Sequence, residues 1–407
     1  MRTLIESRLL LAGDNLDLLK NAYVLIDNGL IVEVGTKEKP QADKKIFFKN
    51  ELIIPGLINA HIHVGDSAFK DKGLGKSVSE LFKPPNGLKH RLLEHAEKRI
   101  LIQAVKDSIN DMMRCGTTTF ADFREGSIKG AQILLEALRN NEIRALIFGR
   151  PDHVFSRSEI ENNQGKIPSN SLAELNELLD ITDGIALSSP NDMTDEAMRQ
   201  LADFAIKNNK FRAIHASEVP DSKNISVERS GLTEIERTIR FFDVNLLVHL
   251  TYASKEDLDK VAKAETPVVI CPRANATLGL KLPPLTKMHD LGITVCLGTD
   301  NVMINQPNMF REMEFTFKAY RMERVPNQYP SPRDILCMAT INGARALGIG
   351  QKTGSIKEGK SADLAIINLN KNLRNIHDVY AALVNRTGAE DILTVLSRGK
   401  FSYGYKI

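Results

Sequence analysis

The chain has 407 residues, 42% hydrophobic and 26% charged, with a formal net charge of +3. This composition is ordinary for a globular protein, and the length fits one large domain with a smaller one. Interspersed charge excludes an electrostatic footprint for nucleic acid, and with no secretory signal and no apolar run of the roughly 20 residues that span a membrane, the sequence predicts a cytoplasmic protein with neither partner.

Residues 1–52 read as short strands and turns. Two β-rich runs flank Asp27-Asn28-Gly29, a strong hairpin signal. From His61 the texture changes to amphipathic helices alternating with short apolar strands. Helices are predicted at 91–114, 127–140, 171–181, 194–209, 230–241, 254–263, 305–323 and 331–347. Strands are predicted at 53–62, 117–122, 143–149, 184–189, 211–216, 245–250, 267–271 and 293–298. Eight such alternations over about 290 residues match a (β/α)8 TIM barrel. After Gly354 the tail returns to turn and strand through Asp363 and again around Val395–Tyr403. The expected fold class is therefore α/β. Residues 53–350 form the barrel, and residues 1–52 and 351–407 supply the two parts of a small β-sandwich built from both termini.

Chemistry in such a barrel sits at the C-terminal ends of strands. His61 and His63, two apart on a strand, project to one side. His215-Ala-Ser-Glu218 closes the fifth strand, His249 the sixth, and Asp300 the eighth. Histidines with an aspartate suit zinc or ferrous iron with an open position for water, whose pKa the metal lowers. Asp300 is placed to accept that water's proton, Glu218 to deliver one to a ring nitrogen or leaving group, and His249 to position the attacked group. The alternatives are a helix-capping Glu218, a core His249 and a turn-capping Asp300. His90, His95, His289 and His377 read as surface or loop residues, and His153 after the third strand as a residue lining the pocket. The four cysteines, Cys115, Cys271, Cys296 and Cys337, read as buried reduced thiols.

Pro55-Gly-Leu-Ile-Asn-Ala-His-Ile-His63, His215-Ala-Ser-Glu218, Val248-His249, Cys271-Pro-Arg-Ala-Asn-Ala-Thr-Leu-Gly279 and Leu297-Gly-Thr-Asp300 occur in the order of the amidohydrolase superfamily. They most resemble its cytosine deaminase and chlorohydrolase-like branch, which includes guanine, adenosine-derivative and triazine aminohydrolases. The resemblance covers nearly the whole chain. It implies one divalent metal ion, zinc in preference to iron, held by His61, His63, His215 and Asp300. It implies Glu218 and His249 as the proton-handling pair of a hydrolytic deaminase. Two-metal branches carry a bridging lysine at the end of strand 4; the matching stretch, Asp183–Asp192, has none. Ser188 and Ser189 stand where nucleoside-type deaminases of the branch often carry a histidine, which disfavours a nucleoside substrate.

Arg273, Arg124, Arg150 and Asn191, in loops after strands 7, 2, 3 and 4, join His153 as candidate substrate contacts, and the loop Val64–Leu88 as a cover. The expected substrate is a small heterocycle; the resemblance also implies a homodimer. The same fold would serve cyclic-amide or carbon–halogen hydrolysis, and a non-catalytic metal-binding barrel is the third possibility.

Overall fold

The computed structural model describes residues 1–322 and 329–404. Position 323, the predicted end of the helix 305–323, and residues 405–407 lie outside them. In chain order the strands are β1 (Arg2–Ala12), β2 (Asp17–Asp27), β3 (Leu30–Gly35), β4 (Lys44–Pro55), β5 (Leu57–His63), β6 (Thr117–Arg124), β7 (Arg144–Gly149), β8 (Gly184–Leu187), β9 (Phe211–Ala216), β10 (Leu246–His249), β11 (Val268–Ile270), β12 (Val295–Leu297), β13 (Asp300–Asn301), β14 (Leu364–Asn368), β15 (Ile392–Ser397) and β16 (Lys400–Gly404).

Both termini meet in one mixed sheet of order β16-β15-β14-β4-β1-β2-β3. The β2–β3 hairpin pairs Asp27 with Leu30, leaving Asn28 (φ 49°) and Gly29 (φ 81°) as a two-residue loop with both φ values positive. Parallel strands β5 to β13 form the second sheet, in order β12-β11-β10-β9-β8-β7-β6-β5-β13. Its two edges belong to one interrupted strand, because β12 and β13 are separated only by Gly298 and Thr299 and the Thr299 N–H donates to the His61 carbonyl at 3.0 Å. The sheet therefore closes as eight parallel strands, with helices between them.

The predicted barrel strand at 53–62 is divided. Residues 53–55 stay in the terminal sheet, and β5 starts at Leu57. At the junction the Gly56 N–H donates to the Asp363 carbonyl (2.9 Å), and a β-carbon there would fall 2.1 Å from Thr118 Oγ1. The predicted helix 331–347 splits into Pro332–Met338 and Ile341–Ala346, because β5 takes the Ala339 carbonyl through the Ile58 N–H at 2.8 Å. The predicted helix 91–114 is two helices, Leu88–His95 and Lys98–Arg114.

Helix Asp195–Lys207 shows how the outer layer is specified. Thr194 caps it through the Ala197 N–H, acids occupy the first turn and Lys207 the last, and Met198, Leu201, Ala202 and Ala205 form its buried stripe. Strand β5 is buried at every residue, as a barrel strand covered on both faces must be. Among the described residues no helix is long and apolar enough to cross a membrane.

Candidate metal centre

Four imidazoles and one carboxylate meet at the strand ends. The His61 ring centroid lies 4.9 Å from those of both His63 and His215 and 5.8 Å from that of His249. Asp300 Oδ1 is 3.3 Å from His61 Nε2 and 3.6 Å from His63 Nε2. The donor atoms of His61, His63 and Asp300 all lie within 4.8 Å of one another, as do those of His61, His215 and His249.

Neighbouring groups fix which ring nitrogen points inward. His215 Nδ1 is 2.9 Å from the Leu187 carbonyl, and His63 Nδ1 is 2.9 Å from the Phe123 carbonyl and 2.7 Å from Glu125 Oε1. Each Nδ1 therefore carries the proton and leaves an Nε2 lone pair for the cluster. Buried nitrogens His61 Nδ1 and His249 Nδ1 have no hydrogen-bond partner. Imidazole and carboxylate donors, converging and incompletely satisfied, fit a divalent cation.

Burial lowers the pKa of His61 to about 3 and that of His215 well below the usual range, with neighbouring imidazoles reinforcing both. Both are neutral, as ligands must be. Burial and the Lys89 ammonium oppose a proton on His63, but the charge and hydrogen bond of Glu125, with Asp300, raise it overall. Burial alone would raise Asp300; the hydrogen bond from His61 and the surrounding imidazoles hold it well below the carboxylate range. Glu218 Oε1 lies 3.8 Å from His249 Nε2, and burial raises the Glu218 carboxyl.

Three non-glycine residues here adopt left-handed backbone: Ser217 (φ 51°), His249 (φ 75°) and Asp300 (φ 59°). Such residues cost on the order of 1–3 kcal/mol each and persist where the surroundings over-determine them. Glu234 holds the Ser217 turn. Its Oε2 accepts the Ser217 N–H at 2.6 Å, and its Oε1 accepts Ser189 Oγ at 2.8 Å and Asn191 Nδ2 at 2.9 Å. The turn delivers Glu218 beside His249. Lys89 is buried against Glu125, behind His63. Asp66 joins the end of β5 to β13 through Asn301 Nδ2 at 2.8 Å and the Met303 N–H at 2.9 Å.

Asp300 depends on the seam between β12–β13 and β5. Asn59 Nδ2 donates to Thr299 Oγ1 at 2.7 Å, and the Thr299 N–H also reaches Asn59 Oδ1 at 3.0 Å. A β-carbon on Gly298 would sit 2.7 Å from both the β-carbon and the carbonyl oxygen of His61. Gly298→Ala is thus expected to open the seam, lowering stability by about 1–3 kcal/mol, as overpacking does, and weakening metal retention. Urea unfolding and elemental analysis of the variant check this; wild-type values for both would show that the seam tolerates a methyl group.

A cleft of about 1180 Å³ lies over the ends of β6, β7 and β8. Arg124, Glu125, Arg150, Leu187 and Ser188 also border a recess of about 10 Å³ that reaches His63 and His215. Arg124, Arg150, Asn191 and His153 all line the cleft. The Asn191 amide is committed to Glu234 and to the Ser222 carbonyl, whereas His153 Nε2 is buried without a partner. Lys83–Asn86, the end of the predicted covering loop, forms part of one wall. His90, expected at the surface, is half-buried in the cleft lining, where its Nε2 lies 3.0 Å from the Phe82 carbonyl and burial lowers its pKa to about 4. His95, His289 and His377 are exposed. Cys115, Cys271 and Cys296 are buried and Cys337 half-buried, all as free thiols.

Arg273 stands apart from the cleft lining. Its backbone N–H donates to Glu312 Oε1 at 3.0 Å, and its guanidinium is 3.6 Å from Glu312 Oε2 and 3.2 Å from the Gln306 carbonyl. Burial raises Glu312 to about 7 despite Arg273, with Asp300 reinforcing the rise. A carboxyl raised on folding favours the native state below its unfolded pKa of about 4.5 and loses that contribution as pH climbs to about 7. Glu312→Gln is therefore expected to remove a fall of roughly 3 kcal/mol in stability between pH 5 and 8. The check is urea unfolding of both proteins at the two pH values. A wild-type-minus-variant difference that stays constant would refute the assignment.

Lys89, Glu234, Asp66 and Glu312 gave no sequence signal as participants. Lys89 lies in a polar helical stretch and the three acids in ordinary helix or turn contexts; only packing reveals them.

The sequence profile of the Amidohydrolase family matches residues 52–401. A protein of Methanothermobacter thermautotrophicus is 35% identical over 400 residues, 97% of this chain and 98% of that protein. The 5-methylthioadenosine/S-adenosylhomocysteine deaminase of Pyrococcus furiosus is 29% identical over 404 residues, 98% of this chain and 94% of that one. Among solved structures, a zinc-bound adenosine deaminase from Xanthomonas campestris superposes with a TM-score of 0.86 at 21% identity, covering 99% of this chain and 93% of that one.

Proposed function

Because this chain belongs to the amidohydrolase family, we propose that it is a metal-dependent hydrolase that removes an exocyclic amino group from a nitrogen heterocycle. The observation that carries the reading is the placement of Glu218 and His249, 3.8 Å apart, beside a His/Asp donor cluster whose His63 and His215 border the recess off the cleft. The deaminase names of relatives across nearly the whole chain support it.

His61, His63, His215 and Asp300 would hold one ion, and the zinc in the Xanthomonas structure favours zinc. A divalent ion there supplies Lewis acidity that brings a water's pKa down to about 7. Asp300, kept ionised by its imidazole neighbours, takes a proton from the attacking water. Glu218, whose carboxyl burial raises above the usual range, delivers a proton to the ring nitrogen beside the attacked carbon. His249 steadies the oxygen arriving on that carbon. The proton on Asp300 then passes to the amino group, which leaves as ammonia, while the hydroxyl of the adduct returns its proton to Glu218 as the carbonyl forms, so that water and amine become carbonyl and ammonia. Glu125 and Lys89 orient His63, and Glu234 orients the Glu218 turn. Arg124, Arg150 and His153 face the approaching substrate; Arg273 and Asn191 act on the frame around it. Residues 57–350 carry this chemistry and the two terminal segments a supporting β-sandwich, in a homodimer.

Incubating the zinc-loaded protein with pyrimidines, purines, pterins and triazines and assaying ammonia tests the reading. Ammonia release from at least one class is expected. A ring-opened acid or free halide would assign cyclic-amide or carbon–halogen hydrolysis instead, and a metal-loaded protein inert on every class would overturn the proposal.

A further inference from the structure

Arg124 ends β6 inside the cleft, only 2% exposed, and its Nε and Nη1 have no hydrogen-bond partner. The Asp122 carboxylate is 3.8 Å from Nη1, beyond hydrogen-bond reach, and its other oxygen is taken by the Val64 N–H. Glu125 directs one oxygen to Lys89 and His63. The guanidinium has a prepared place: a β-carbon at Gly65 would lie 2.7 Å from Nη1, and one at Gly130 would lie 3.1 Å from Nε.

Directly after Arg124, the 11-residue helix Ser127–Ala137 begins at the left-handed Gly126 without a side-chain cap, and Gly126, Lys129 and Gly130 line the same cleft. A helix N-terminus offers unsatisfied N–H groups and positive potential, and a guanidinium offers a planar fork; both suit an oxyanion. Arg150, which borders both cleft and recess, adds a third positive element.

We propose that Arg124, the N-terminus of helix Ser127–Ala137 and Arg150 form a subsite for an oxyanion carried by the substrate, so that the heterocycle bears a carboxylate or a phosphate. This rests on reading the cleft as the substrate site. The anion would sit over β6 and β7, leaving the ring to face the recess that leads toward His63 and His215.

Calorimetric titration of zinc-loaded protein with inorganic phosphate, and separately with acetate, reads the subsite without turnover. Wild type is expected to bind phosphate at least tenfold more tightly than Arg124→Met; equal affinity would overturn the subsite. Should Arg124→Met fail to fold, Arg150→Met is read in its place, with at least threefold weakening expected and unchanged affinity overturning the proposal. Ammonia release from adenosine against adenosine 5′-monophosphate, and from pterin against pterin-6-carboxylate, then identifies the anion. The acid-bearing member of one pair is expected to have at least tenfold higher kcat/KM, an advantage that Arg124→Met removes. Turnover with no such advantage in either pair would overturn the substrate assignment. Phosphate binding lost in Arg124→Met, with no ammonia from any compound, would keep the subsite and overturn the deaminase reading instead.

Discussion

Glu218→Gln is expected to lower kcat by about 10²–10⁴-fold, the usual worth of a positioned general acid, while leaving the metal in place. Glutamine preserves the volume and the polar tip of the side chain but has no proton of the required acidity to deliver. The metal should stay because Glu218 belongs to neither of the two close donor groups, which draw on His61, His63, His215, His249 and Asp300. The Ser217 turn should also survive, since Glu234 holds it through the Ser217 N–H. Steady-state kinetics with elemental analysis separates the two effects. A variant of full activity would remove Glu218 from the chemistry, and one that has lost its metal would make it a structural part of the donor cluster.

His61→Ala is expected to abolish both metal retention and turnover. His61 belongs to both donor groups, is fully buried and packs edge-on against Phe123 with ring centroids 4.2 Å apart. Its loss removes a nitrogen donor and frees Asp300 from its nearest imidazole. Changing even a group that only orients a ligand typically costs about 10–100-fold in metal affinity, so removal of a ligand should cost more. The cavity would also lower stability, on the order of the 2–5 kcal/mol seen for buried large-to-alanine changes. Metal content after gel filtration, with circular dichroism to verify folding, checks the first claim. A folded variant with one equivalent of tightly held metal would show that His61 is not a ligand.

Strand periodicity made much of this architecture legible. Short apolar runs, each ending in a polar residue, marked β5, β9 and β10 and brought His61, His63, His215 and His249 to one end of the sheet. Asp300 was found by the same logic, although its strand is interrupted at Gly298 and Thr299. Where local pattern competed with long-range contacts, the sequence was less informative. The apolar run 53–62 looked continuous, but the pairing of β4 with β14 claims its first residues. The helix expected at 331–347 breaks because a distant strand takes one of its carbonyls. Arg273 looked like a substrate contact from its place after β11, and only the packed structure shows its guanidinium beside Glu312. Lys89, in a polar stretch typical of a solvated helix face, instead neutralises Glu125 behind His63. Groups that orient others are specified by tertiary packing, which has no local period to read. Ser188 borders the recess next to Arg124 and Arg150, where substrate choice is expected to be made.

Titration of the chelated protein with zinc, followed by ammonia release from the preferred heterocycle, tests the single metal centre most directly. The predicted result is no activity without metal and a linear rise that breaks at one equivalent per chain. Activity that survives chelation, or a break at two equivalents, would contradict it.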